Sequence, residues 1–438
     1  MNISDNVPVL PPKASRLELP YVATRLFLGA KIHKNFKGHK DVVAVESEGR
    51  FSSLSLQDFD LVNRILDRVK KEVDVGKMVS VEKVLWIHRL AVGALESMTR
   101  DVKGRGIVML KDMAGSGYWR MVLPAKHMDK TGLFVDVSAA VVNFDYLLEY
   151  DTVFVQRVHD WDSFYTLEKL KNAGKRIVYD IDDEIFSIPW DNPASRIIGK
   201  DEQTAALACM KLADCLTTTT PILQDRLIQL VGGHPVIVPN ALDPDDGWLP
   251  TEKTGSPDEW KRIFWQGSST HAADWMECIE AVDIVMKKRD DVRVVILGFL
   301  PPVVQEKLKE PHWKGRVEFS GFNAPETYFE IVKRVRAEVG IAPLQTSYFN
   351  AGKSEIKWLE YSLVGIPTVA SYAHPYMDVI GEGEGIVCAT TDEWVGAIEI
   401  CLDDKKRRIE MVMAARKKAR EQYNIKETSK VWRSILAP

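Results

Sequence analysis

Two lysines, a serine and a glutamate gather in one short stretch of this 438-residue chain, FNAGKSEIKWLEYSLVGIPTVAS (349–371). Lys353, Ser354 and Lys357 fall at or just inside the start of a predicted helix, where the positive end of the helix dipole disfavours cations. Two lysines make sense there when they face an anion such as a diphosphate. Glu360 follows Lys357 on the same side of the helix; the plain alternative is a surface Lys–Glu pair worth roughly a few tenths of a kcal/mol. Upstream, KRIFWQ (261–266) reads as a strand that runs into Gly267-Ser268-Ser269-Thr270-His271, with a helix expected across 272–288. Small hydroxyl residues at a helix start sit beside unpaired N–H groups and form a ready anion site, or else an ordinary cap.

The first half offers a matching set. KDMAGSGYWR (111–120) carries Gly115, Ser116 and Gly117, whose glycines let backbone amides approach a phosphate or a sugar, or simply make a tight turn. TVFVQ (152–156) delivers Arg157 and His159, and RIVYDI (176–181) delivers Asp182 and Asp183. Each group follows a predicted strand, and in open α/β sheets ligands bind beyond the carboxyl ends of the strands. Plain loop polarity is the competing explanation for His159, Asp182 and Asp183, and the two carboxylates would also suit a divalent metal.

Stepping these residues into place requires strands alternating with helices. From about residue 105 such a series is legible: GIVML (106–110), LFVD (133–136), TVFVQ, RIVYDI, LTTT (216–219) and VIV (236–238), with helical patterns at 163–174 and 201–214 between them. A turn-rich segment, 239–260, reads as a linker, after which the pattern restarts. VRVVIL (292–297), RVEF (316–319), EVGIA (338–342), PTVA (367–370) and GIVC (385–388) alternate with helices at 325–336 and 354–364, and helices run from about 392 onward. The expectation is two α/β, Rossmann-like, doubly wound domains in tandem with a cleft between them.

Residues 1–104 read as a mostly helical region packed on the first domain, with amphipathic patterns at 56–73 and 80–98 and an ambiguous run at 17–28. This region holds 17 basic against 13 acidic residues, whereas 105–250 holds 14 against 21. The basic cluster KIHKNFKGHK, with Lys31, Lys34, Lys37 and Lys40, suits either a solvated loop or contact with a polyanion. No run approaches the roughly 18 apolar residues of a membrane span, and MNISDNVPVLPPKASRLELP lacks the pattern of a signal peptide. Five scattered cysteines without a CxxC pair read as core residues in a reducing compartment, so a cytoplasmic location is expected, that of a host cell if a phage encodes the chain.

On FWQGSSTHAAD (264–274), VEFSGF (317–322), IAPLQTSYFNAGKSEIKWLEYSLVGIPTVAS (341–371), VFVQRVH and IVYDIDDEIF, the chain resembles the retaining GT-B glycosyltransferases of the family 4 group, in particular short-motif members from phages and bacteria. The resemblance covers roughly 105–438. It implies a cleft between an acceptor-side domain (105–250) and a nucleotide-sugar domain (251–415), with a C-terminal helix (416–438) crossing back to the first. It also implies a nucleotide-sugar donor, a UDP-sugar first among them, with no cofactor and no metal. The donor diphosphate would lie against Gly267, Ser268, Thr270, His271, Lys353, Ser354 and Lys357, with Gly115, Ser116 and Gly117 opposite. Glu360 would hold the ribose and Phe322 would lie near the base. Better-known members carry an earlier glutamate that falls here on Gly352, which passes its role to Asn350 and the amides around Lys353. Catalysis would rest on Lys353, His159, Asp182 and Asp183, with Arg157 on the acceptor side. The acceptor stays open between a glycan and a hydroxymethylated DNA base, the latter through Lys31, Lys34 and Lys37. A sugar-nucleotide-binding protein without activity and a sugar-nucleotide epimerase on the same fold are the competing functions.

Overall fold

A computed structural model of the chain describes residues 104–437 apart from 111–114, 129–132, 139–143, 244–253 and 323–324; before them it describes 26, 31–34, 42–47, 50–55, 62–63, 66 and 91. The early strands β1 (Lys31–Lys34), β2 (Val42–Ser47) and β3 (Arg50–Ser55) form a small antiparallel sheet. That sheet is an addition to the helical segments expected in this region, of which Leu26, Val62, Asn63, Leu66 and Ala91 are helical.

Two six-stranded parallel sheets follow. The first has the order β5-β4-β6-β7-β8-β9, from β4 (Gly104–Met109), β5 (Leu133–Ser138), β6 (Thr152–Gln156), β7 (Arg176–Asp180), β8 (Cys215–Thr218) and β9 (Val236–Ile237). The second has the order β12-β11-β10-β13-β14-β15, from β10 (Lys261–Gly267), β11 (Val292–Gly298), β12 (Val317–Ser320), β13 (Val339–Ala342), β14 (Thr368–Ser371) and β15 (Ile386–Cys388). Both are doubly wound, and each has a point where the strand order reverses, between β4 and β6 and between β10 and β13. Ligand crevices open at such points.

Side-chain alternation explains why the strands are apolar throughout. On β6, Val153 and Val155 face a core shared with helices α1 (Trp161–Asn172), α2 (Lys200–Leu212) and α3 (Pro221–Val231), while Phe154 faces the opposite layer. On β10, Ile263 and Trp265 pack with α4 (Ile279–Lys288) and α7 (Thr391–Asp403). Phe264 points the other way, toward α5 (Pro325–Val335) and the residues of α6 (Ile356–Leu363). Four of the five cysteines are buried and all five are free thiols.

Two further helices, α8 (Lys405–Gln422) and α9 (Ile425–Leu436), end the described chain. Trp432, Ile435 and Leu436 of α9 are buried against Val108, Phe154, Val178 and Val238, completing the second face of the first sheet. The chain therefore passes between the domains twice, and the two passages lie side by side: Leu242 N–H donates to Tyr423 O at 2.8 Å, and Ile425 N–H to Leu242 O at 2.9 Å. Among the described residues no helix is long and apolar enough to cross a membrane.

One expected element differs. The helix predicted across 272–288 begins only at Ile279; Ser269–His271 and Ala273–Glu277 are short 3-10 turns. The reason is tertiary. Asp274 turns inward, where its carboxylate accepts from the Gln345 backbone and from the Asn350 side chain, both at 3.0 Å.

Candidate functional site

The switch point of the second sheet places the loops after β10 and β13 together. Gly267 ends β10, and a Cβ there would lie 2.6 Å from the Trp265 ring, so the packing of that ring requires glycine. In the loop beyond it, Ser268 Oγ and Thr270 Oγ1 lie 2.6 Å apart, and His271 Nδ1 is 2.8 Å from Asp274 Oδ2. Burial, followed by the charges of Lys357 and Lys353, pushes the His271 imidazole down to about 4 against the pull of Asp274. His271 is thus neutral at neutral pH. The hydrogen bond from His271 holds Asp274 below the usual carboxylate value despite its burial, so the Nδ1 proton faces Asp274 and Nε2 is left as an acceptor. The absence of an α-helical start at 272, together with this neutrality, makes the loop a poorer anion site than its sequence indicates.

The start of α6 is better suited to an anion. Lys353 is nearly buried above the Phe349 ring, 4.4 Å from its centroid, and its Nζ lies 3.1 Å from Asp183 Oδ1 in the opposite domain. Ser354 Oγ accepts from Asn240 Nδ2 at 2.8 Å, again across the cleft. Lys357 lies on the first turn of α6 and is only 5% exposed. Among the described residues no carboxylate comes within ion-pair distance of it. Burial and then the neighbouring Lys353 charge lower its ammonium from the ordinary lysine value. Glu360, also buried, accepts from Tyr328 OH at 3.1 Å and from Gln266 Nε2, and burial raises its carboxyl against the pull of Lys357. Phe322 stands exposed beside Gly298.

Asn350, expected beside the donor, is nearly buried. Its side-chain N–H groups donate to Asp274 Oδ1 at 3.0 Å and to Gln345 O at 2.9 Å, so it braces the loop after β13 and has only Oδ1 left for other contacts. Gly352 has a steric explanation. A Cβ there would meet the Glu184 Cβ at 3.1 Å and the Leu223 methyl at 3.6 Å, while its carbonyl accepts from Thr220 Oγ1 at 3.1 Å. The first domain therefore occupies the space a side chain at 352 would need.

In the first domain, Arg157 follows β6 in a left-handed backbone conformation (φ 50°). Its guanidinium donates to Asp183 Oδ2 at 2.9 Å and to Ser116 Oγ at 2.7 Å, and its Nε lies 3.3 Å from Asp182 Oδ1. Burial and the adjacent Asp183 charge raise the Asp182 carboxyl against the pull of Arg157. Burial would raise Asp183 too, but Lys353 and Arg157 together hold it well below the ordinary range. Ser116 lies with Gly115 and Gly117 at the start of a helix that runs through Gly115–Gly117, Tyr118–Val122 and Leu123–His127, its middle part wound as a π-helix. Arg157, His159 and Asp183 line a cavity with Thr270 and Phe349 of the second domain. Lys31 and Lys34 lie on β1, away from these loops in the chain, and Lys37 and Lys40 lie outside the described residues.

Sequence reasoning missed Asp274, Gln266 and Tyr328, which orient His271, Asn350 and Glu360. It also missed Arg120, fully buried in a bidentate pair with Asp180 (2.8 and 3.1 Å). Arg120 additionally donates to the Val238 carbonyl and to Asn240 Oδ1, and its guanidinium lies 5.1 Å from the centre of the Trp432 ring. Only Asp274 had a local signal, its place one turn after His271.

Residues 251–418 match the family model of glycosyl transferases group 1. No curated protein matches the chain by sequence. Among solved structures, the HepE protein of Anabaena in complex with UDP-glucose superposes with a TM-score of 0.58 at 13% identity, covering 76% of this chain and 99% of that one. Sucrose-phosphate synthase from Thermosynechococcus elongatus gives the same TM-score, identity and coverage. TarM of S. aureus superposes at 0.50 with 13% identity, over 67% of this chain and 58% of that one. The chain has a GT-B architecture, and its second domain is similar over residues 251–418 to the glycosyl transferases group 1 family.

Proposed function

We propose that this protein is a hexosyltransferase that moves a sugar from a UDP-sugar to an acceptor hydroxyl, with retention of configuration and without a metal ion. The observation that carries this reading is Lys357, a nearly buried cation with no carboxylate partner among the described residues. A desolvated ammonium is costly unless an anion accompanies it, and Lys353 stands beside it at the same helix start. The glycosyl transferases group 1 match over 251–418 and the UDP-glucose bound by the HepE relative support a sugar-linked diphosphate as that anion.

In this reading the C1–O bond to the diphosphate breaks as a bond from C1 to the acceptor oxygen forms on the same face. The acceptor proton passes to the departing phosphate oxygen. Lys353 and Lys357 stabilise the growing negative charge, while Gly267, Ser268, Thr270, Ser354 and the Gly115–Ser116–Gly117 turn shape the donor site. His271 contributes a hydrogen-bond acceptor for a sugar hydroxyl, Glu360 holds the ribose and Phe322 flanks the base. His159, Asp182 and Asp183 orient the acceptor hydroxyl beside Arg157. The carboxylates that would suit a divalent ion are committed to Arg157 and Lys353, which favours charge stabilisation by side chains.

The test is a screen of nucleotide-sugars against acceptors, reading released nucleoside diphosphate, with glycans and hydroxymethylated duplex DNA among the acceptors. Acceptor-stimulated release is expected. Binding without release would make the protein a sugar-nucleotide binder, and an altered sugar without any acceptor would make it an epimerase. If modified DNA is the acceptor, through Lys31, Lys34 and Lys37, binding should weaken with salt at a log–log slope of about −0.9 per phosphate contact. A salt-independent result removes DNA.

Glu360→Gln keeps the shape of the side chain and removes its charge. It should raise the donor KM several-fold with little change in thermal midpoint. A large loss of stability with intact donor affinity would show instead that the Tyr328 and Gln266 contacts make Glu360 a structural residue.

A further inference from the structure

The cavity at the cleft has a mixed lining. Beside Arg157, His159 and Asp183 it is lined by Ile185, Ile188, Ile197 and Ile198, all from the segment that follows β7. This segment is fixed to both domains. The Ser187 backbone N–H donates to Glu184 Oε2 at 2.6 Å, Gln203 Nε2 donates to the Ile185 carbonyl at 2.9 Å, and Asn192 Nδ2 donates to the Thr270 carbonyl of the second domain at 3.0 Å. Ile185 belongs to the core of the first domain, Ile188 and Ile198 pack against it, and Ile197 remains 65% exposed. A single exposed isoleucine is ordinary. Ile197 standing with the half-buried Ile188 and Ile198 over the buried Ile185, on a pinned segment that lines the cavity with polar groups, forms a preorganised aliphatic shelf.

We infer that this shelf binds the acceptor, and that the acceptor is an alcohol carrying an aliphatic chain, with its hydroxyl end toward His159 and Asp183. The inference rests on the transferase reading for the word acceptor, though not for the existence of the site. The lining selects this occupant. A bare oligosaccharide would have to give up hydrated hydroxyls to a wall of isoleucine side chains that return no hydrogen bonds. A polyanion would meet a domain with 14 basic against 21 acidic residues over 105–250, whose Arg157 is already paired with two carboxylates. An alkyl chain loses nothing on leaving water and gains with each methylene buried.

The experiment is calorimetric titration of the full chain, in the presence of UDP, with methyl, butyl and hexyl β-glucosides. Affinity should rise by about threefold to fourfold for each methylene that the shelf buries, giving hexyl glucoside at least about a tenfold advantage over methyl glucoside. Ile197→Ser, at an exposed position that leaves the core untouched, should reduce that advantage with an unaltered thermal midpoint, and Ile188→Ser should reduce it further. Equal affinity across the series, or an advantage that survives both substitutions, overturns the inference. Because binding is read without turnover, failure to release nucleoside diphosphate in the donor screen would overturn the transferase reading and leave this result standing.

Discussion

Lys353→Ala is expected to cut turnover of the donor by about tenfold to a hundredfold, the loss of one charge-assisted hydrogen bond of about 1.5–3 kcal/mol to the diphosphate. The structure gives a reason for the effect to fall toward the upper end. Lys353 is paired with Asp183 at 3.1 Å across the cleft, so its removal also leaves that carboxylate turned toward the arriving anion with only Arg157 to offset it. The loss has an attractive and a repulsive part. A double substitution, Lys353→Ala with Asp183→Asn, should therefore recover part of the donor affinity lost in the single variant, a coupling that steady-state kinetics and UDP titration both read. If donor kinetics in Lys353→Ala match those of the parent, the helix start at α6 is not the diphosphate site.

The largest expected effect on stability lies in the first domain. Asp180→Ala leaves the fully buried Arg120 guanidinium without its bidentate partner, and breaking a buried pair from one side costs about 3–5 kcal/mol. At about 2–4 °C per kcal/mol for a domain of this size, the calorimetric transition that contains the first sheet should fall by roughly 6–20 °C. Thr217 Oγ1, which also donates to Asp180 Oδ1 at 2.7 Å, loses its partner in the same variant. Replacing both charges, Arg120→Met with Asp180→Leu, should cost less than Asp180→Ala alone, since no unpaired charge remains. A drop below about 1 kcal/mol in the single variant would mean that Arg120 finds enough compensation from the Val238 carbonyl and Asn240.

The parallel strands were legible in the sequence because each is buried on both faces, so that runs such as RIVYDI and VRVVIL are apolar without interruption and stand out between amphipathic helices. The same logic pointed to the loops after those strands, since residues there collect at one edge of the sheet. What escaped was decided by distant partners. The segment 272–278 has a helical pattern, yet Asp274 is drawn out of it by Gln345 and Asn350, more than 70 positions away. Arg120 reads as one more surface charge until Asp180, 60 residues later in the chain, is placed against it. The sequence does not show that burial beside Lys353 and Lys357 lowers the His271 imidazole to about 4. The reason for Gly352 is likewise invisible locally, because Glu184 and Leu223 of the other domain fill the space above it. The antiparallel sheet β1–β3 was masked by short strands that are polar or basic in part and so lack a clean alternation.

The return of α9 to the first sheet has a consequence for how the chain is made. Domains ordinarily fold in the order in which they leave the ribosome. Here Val108, Phe154 and Val178 acquire the cover of Trp432, Ile435 and Leu436 only after every residue of the second domain has been synthesised. During translation that face has only the cover of Met121, Ala125 and Met128 for the time needed to add roughly 200 residues, about 10–40 s at ordinary elongation rates. An exposed parallel sheet is prone to aggregation over such an interval. The two halves, made as separate polypeptides, should therefore each be less soluble than the whole.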